Sequence, residues 1–100
     1  MVFKVIFKPL AQLEVSEAFE WYAQPHIVMG EAFLAELEHT SGLLASNPHL
    51  YPRIENELRR ANFSHFPYSL FYVIDGDEVN VLSCFHQHRD PRYREGLLNS

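Results

Sequence analysis

A single cysteine, Cys84, stands in a chain of 100 residues. One thiol cannot form an internal disulfide, so nothing supports an oxidising compartment and a cytoplasmic protein is expected. Glycine is scarce too, at four residues, and no Gly-rich phosphate loop or nucleophile elbow is present. Nucleotide-dependent chemistry therefore has no support. Long apolar runs are absent: the most apolar stretch, Phe66 to Ile74, is far too short to span a bilayer. Lys4 and Lys8 interrupt the opening MVFKVIFK, so it does not read as a signal peptide. Cations are outnumbered, eight Lys and Arg against thirteen Asp and Glu, for a formal net charge of −5. That balance argues against a surface that tracks a phosphate backbone along its whole length. The shortage is uneven: residues 1–50 hold two lysines, six glutamates and no arginine, whereas all six arginines lie in residues 51–100 beside seven acids. A local basic patch survives the acidic total.

What is present reads as one domain over residues 1–100, with 47% hydrophobic and 21% charged residues. Val2 to Lys8 is rich in β-branched and aromatic residues and ends at Pro9, which predicts a strand. From Leu10 the spacing is helical, with Val15, Ala18, Phe19 and Tyr22 on one face. Glu14, Glu17 and Glu20 lie mostly away from it and read as a solvated face; Trp21 and Tyr22 read as packing residues. Pro25 ends or bends this helix, Gly30 marks a turn, and Glu31 to about Ala45 gives a second helix, stopped by Asn47-Pro48. Tyr51-Pro52-Arg53 is read as a turn and Glu57 to Phe63 as a strand. Tyr68 to Ile74 is apolar at both parities, as in a central strand covered on both faces. Asp75-Gly76-Asp77 then supplies a tight hairpin to Val79–His86. The order β-α-α-β-β-β belongs to the α+β class: a small antiparallel sheet with a helical hairpin packed on it.

The chemistry-bearing residues crowd into CFHQHRDPRYR, residues 84 to 94. His86 and His88 share one strand parity and Asp90 is near, but no second His or Cys cluster completes a tetrahedral set, so no metal site and no cofactor are expected. Cys84 sits inside a strand and reads as a small buried hydrophobe. Arg59 and Arg60 lie in the second strand, Glu57 to Phe63, while His86, His88 and Arg89 leave the last one. If those strands are neighbours, the groups converge on one face or edge, suited to an acidic partner or to phosphoryl chemistry. The competing reading pairs Arg59 and Arg60 with Glu55, Glu57 or the acidic helices as surface salt bridges.

Several pieces taken in order resemble the RelE/ParE superfamily, the toxin half of type II toxin–antitoxin (plasmid stabilisation) modules. They are Ala18-Phe19-Glu20-Trp21-Tyr22, Gly30-Glu31-Ala32-Phe33, Asn47-Pro48-His49-Leu50-Tyr51-Pro52, Arg59-Arg60, Phe66 to Tyr72, Gly76-Asp77-Glu78-Val79 and His86 to Pro91. The resemblance implies the same β-α-α-β-β-β fold and a cognate antitoxin, with a toxin–antitoxin hetero-oligomer. It also implies one of two activities. RelE-like members are ribosome-dependent mRNA endonucleases; ParE-like members poison DNA gyrase without an established catalytic constellation of their own. The His86-x-x-Arg89-Asp90-Pro91 ending is similar to the ParE-like branch. In nuclease members a catalytic arginine opens the third strand, and Pro67-Tyr68-Ser69-Leu70 has none. A ParE-like gyrase inhibitor is therefore expected, with a ribosome-dependent nuclease or an inactive binding remnant as the alternatives. His86, Arg89 and Tyr93 are the catalytic candidates should it be a nuclease. Arg59, Arg60, His88, Arg92 and Arg94 are the candidates for binding target or antitoxin.

Overall fold

The computed structural model describes residues 2–88. Along the chain come β1 (Lys4–Phe7), α1 (Pro9–Tyr22), α2 (Gly30–Ser46), a 3-10 turn (Pro48–Leu50), β2 (Arg53–Glu55), β3 (Leu58–Asn62), β4 (Tyr68–Asp75) and β5 (Glu78–His86). The strands form one sheet in the order β1-β5-β4-β3-β2, with the two helices packed on it. The α+β class and the helical hairpin are as expected. Two details differ. Arg53–Glu55, which begins at the last residue of the expected Tyr51-Pro52-Arg53 turn, is a fifth strand whose three residues are too few to show a period. The sheet is also mixed instead of antiparallel, because β1 runs parallel to β5, with Lys4 opposite Glu78 and Phe7 opposite Val81. Alternation along a strand reports its two faces and carries nothing about the direction of its partner.

Local chemistry explains the boundaries. Pro9 occupies the first turn of α1, where its missing N–H is not needed, and Gln12 Nε2 donates to the Phe7 carbonyl at 2.7 Å. The connection between the helices is tight: the Val28 N–H donates to Gln24 O at 2.9 Å and the Met29 N–H to Tyr22 O at 2.7 Å. It places Val28 at φ 55°, a left-handed conformation that a β-branched residue rarely adopts. Gly30 is required by packing, since a Cβ there would lie 3.0 Å from the Phe19 ring and 3.1 Å from the Ala23 side chain. In the β4–β5 hairpin Gly76 alone takes positive φ, 62°, the pattern of a type II′ turn.

β4 is covered on both faces. Leu70 and Tyr72 point into the main core with Phe33, Leu44 and Val81, while Phe71 packs on the opposite face with Leu58 and Phe85. Tyr72 is fully buried, and its hydroxyl donates to the Pro48 carbonyl at 2.7 Å, joining β4 to the turn after α2. Burial pushes this phenol up to about 12, with Tyr51 adding to the rise and Arg59 opposing it. A folded-state value above the ordinary 10 means that the native state holds this proton more tightly. The stability it confers is complete below pH 10 and is lost as pH rises toward 12. Tyr72→Phe is expected to lower stability by about 1–2 kcal/mol, because the Pro48 carbonyl loses its buried donor. It should also flatten the alkaline limb of the unfolding curve; chemical denaturation at pH 7 and pH 11 checks both, and an unchanged alkaline slope would refute the assignment.

Candidate functional site

The site is built where β5 leaves the sheet. β1 stops at Phe7, beside Val81, so the rest of β5 has an edge that no strand covers. α1 takes over there. Glu14 accepts the Ser83 hydroxyl at 2.6 Å and the Cys84 backbone N–H at 3.1 Å. The carboxylate thus stands in for the next strand's carbonyl. Glu14 is 6% exposed, which corrects the expectation that it shares a solvated face with Glu17 and Glu20. Burial, and then the neighbouring Glu14 carboxylate, push the Cys84 thiol up to about 12. A thiol so far from ionisation is a poor nucleophile, so the reading of Cys84 as a buried hydrophobe stands.

Before Cys84, a register shift between Phe71 and Tyr72 places one extra residue, Leu82, on β5. As a result His86 lies opposite Tyr68, their rings meeting edge-on at 5.0 Å. The His88 ring lies 5.3 Å from that of His86, and the His88 N–H donates to His86 Nδ1 at 3.1 Å. An accepting Nδ1 assigns the ring proton of neutral His86 to Nε2. Gln87 fixes the exit: its N–H donates to Pro67 O at 2.8 Å and its side chain to Tyr68 O at 3.2 Å. Behind Tyr68 stands Tyr22, at 6.2 Å, which stacks on Phe33 at 5.4 Å. Burial raises the Tyr22 phenol. The exit is therefore an imidazole pair mounted on an aromatic column, with His86 and His88 adjacent as the i, i+2 spacing implied.

The arginines are not brought to it. β4 lies between β3 and β5, so the strands carrying Arg59, Arg60 and His86 are not neighbours. Arg59 lies opposite Tyr72 and Arg60 opposite Phe71, three or four residues along β4 from Tyr68, roughly 10–14 Å away. They also face opposite ways. Arg59 is half-buried on the helix side, where its Nη1 donates to the Tyr51 carbonyl; Arg60 is exposed on the other face. Glu57, proposed as a salt-bridge partner for them, instead meets Arg53 at 3.3 Å. Arg89, Arg92, Tyr93 and Arg94 lie outside the described residues. Among the described residues no group of three or more His, Cys, Asp or Glu is placed to hold a metal ion.

Two further features had no signal in the sequence. Glu36 of α2 accepts the backbone N–H groups of Ser64 and His65 at 2.5 and 2.8 Å, with His65 Nδ1 at 3.4 Å. Burial pushes its carboxyl up, but these donors and the His65 charge outweigh it, and the net displacement is downward. Glu36 anchors the β3–β4 turn at one wall of a groove of about 390 Å³ lined by Ala32, Ala35, His39 and Phe66. The second feature is Trp21, expected to pack but 59% exposed.

The fold and the exit can now be set beside known proteins. The family described as "ParE toxin of type II toxin-antitoxin system, parDE" matches residues 5–91. Comparison with curated proteins gives no match. Among solved structures, the chain is similar to one titled "Chromosomal ParDE TA system from P. aeruginosa", with a TM-score of 0.70 and 13% identity, over 85% of this chain and 96% of that one. Identity that low shows a shared fold. No helix among the described residues is long and apolar enough to cross a membrane. With its match running from β1 to beyond the β5 exit, the chain belongs to the ParE toxin family of type II toxin–antitoxin systems.

Proposed function

We propose that this protein is a cytoplasmic toxin that poisons DNA gyrase and is neutralised by a cognate antitoxin bound to it in a hetero-oligomer. The family match over residues 5–91 carries the reading. The geometry of the exit supports gyrase over the ribosome. Phosphoryl transfer needs a cation beside the acid–base group to stabilise developing charge. Neither β4 nor β5 holds a lysine or arginine, and Arg59 is engaged by the Tyr51 carbonyl. Arg60, Arg92 and Arg94 remain the candidates for contact with target or antitoxin, together with His88.

One observation favours the nuclease alternative: His86 and Tyr68 form an imidazole–phenol pair, to which Arg89 and Tyr93 are candidates to contribute from the adjoining tail. Expression without antitoxin is expected to arrest growth, and the purified toxin to make gyrase linearise supercoiled DNA when ATP is present. His86→Ala should leave that linearisation within about twofold of wild type, since no proton transfer by His86 is required. Codon-positioned cuts in translated messages, abolished by His86→Ala, would overturn the gyrase reading in favour of the nuclease. Normal growth would leave a binding remnant.

A further inference from the structure

The face of the sheet turned away from the helices is apolar and closed to water. Leu58, Phe71 and Phe85 form its centre at 0%, 3% and 6% exposure, and Ser69, opposite Phe85, is 2% exposed. Ile54, Val73 and Leu82 pack against this cluster, yet all three are strand residues of the same sheet. Side chains stand roughly perpendicular to a sheet, so such neighbours flank a ring and do not roof it. An antiparallel face with nothing above it is wetted. Among the described residues the helices supply no roof, because Ala11, Ala18, Phe33 and Leu44 all bury into the cluster on the other face. The closure is reached within a single chain, so a partner molecule is not its source.

We propose that the chain's own tail, residues 89–100, which lies outside the described residues, docks back across this face, with Tyr93, Leu97 and Leu98 as its apolar anchors. Where the described chain ends supports this occupant: His88 is three residues past Phe85, so the tail starts beside the cluster it would cover. Asp90-Pro91 is a pair that favours turn initiation, at the point where the chain must reverse. From Pro91 to Leu98 an extended chain reaches roughly 25 Å, whereas β5 to β3 is two strand spacings, about 10 Å. The tail also holds Arg89, Arg92 and Arg94, three of the chain's six arginines. Arg60, exposed, stands opposite Phe71 on the same face. Docking therefore gathers on the helix-free side the cations that the sequence scatters over its second half.

The test is solution NMR on the full-length protein with labelled leucine methyls. In wild type, the Leu97 and Leu98 methyls are expected to show nuclear Overhauser contacts to the Phe71 and Phe85 rings. Those contacts should vanish when the labelled methyls and the observed rings are placed on different molecules and mixed. Thermal melts give a second readout. Leu97→Asp/Leu98→Asp is expected to lower the melting temperature by about 10 °C or more and to raise binding of the dye ANS, which reports exposed apolar surface. Asn99→Asp/Ser100→Asp adds the same charge next to it and should stay within about 2 °C of wild type. Missing contacts in wild type, with the amides of 89–100 exchanging as in an unfolded chain, overturn the proposal. Contacts found only between molecules overturn it as well and make the tail an element exchanged within a dimer. Equal melts for the two variants show that the leucines roof nothing. Should the aspartate pair fail to fold, the wild-type contacts still decide. None of these readouts involves gyrase or antitoxin, so the toxin reading stands or falls separately.

Discussion

Phe33→Ala is expected to cost about 3–5 kcal/mol, the largest loss of any single truncation on the helical hairpin. Phe33 is fully buried, and its ring is met by Tyr22 at 5.4 Å, Phe63 at 5.9 Å, Phe66 at 5.4 Å and Tyr68 at 5.6 Å. The four rings come from α1, the end of β3, the β3–β4 turn and the start of β4, so one side chain ties four segments together. Offset and edge-on aromatic pairs add about 0.5–1.5 kcal/mol each beyond area burial, and the surrounding rings are too rigid to fill the void. Against a total stability of about 5–15 kcal/mol, the loss takes a large share. The melting temperature should fall by roughly 15–30 °C. Phe33→Leu, which keeps most of the volume, should lose less than half as much. Equal losses in the two variants would show that the rings do not interlock as described.

Glu14→Ala should follow at about 2–4 kcal/mol, by a different cause. Its carboxylate accepts from the Cys84 N–H and the Ser83 hydroxyl, and Ser83 is fully buried. Alanine would leave a backbone donor on an uncovered strand edge with no acceptor, and hydrogen bonds to a charged group are the stronger kind. Glu14→Gln retains one carbonyl oxygen and should lose about half as much. Glu17→Ala, exposed on the same helix, is the control and should fall within about 0.5 kcal/mol of wild type. Thermal melts of the three variants decide it: if Glu14→Ala behaves like Glu17→Ala, the carboxylate is not completing the sheet.

What could be read from the residues was whatever local chemistry determines. The Asp75-Gly76 turn, the Pro9 helix start and the two-sided apolar run of β4 each depend on a few neighbouring side chains, and each appears as expected. Glu14 was misplaced because its burial depends on where β1 ends, which no helical wheel contains. Trp21 was misplaced because aromatic size says nothing about which flank of a helix is covered. The site shows the same limit. Composition alone marked His86 and His88 as a polar strand exit. Counting back from the hairpin turn would have put Phe85, not His86, opposite Tyr68, and His86 on the far face of the sheet. The extra residue on β5 reverses that placement, because a shift by one residue exchanges the two faces. Arg59 looked available for phosphate because its acceptor is a backbone carbonyl, which has no signature in sequence.

The parallel pairing of β1 with β5 also sets the timing of assembly. β1 leaves the ribosome early, yet its partner residues 78 to 81 are among the last portion of the described chain to be made. Contacts between residues so distant in sequence close late and slowly, since the loop between them must be ordered first. β1 therefore waits, one edge of the sheet unmade, while the helices and the β3–β4 pair take shape. The His86 exit forms in a separate and more local step, the β4–β5 hairpin that sets His86 opposite Tyr68, yet it too needs β5, so the nascent chain carries no finished site until synthesis has passed that strand. A toxin built this way cannot act from the ribosome that is still making it.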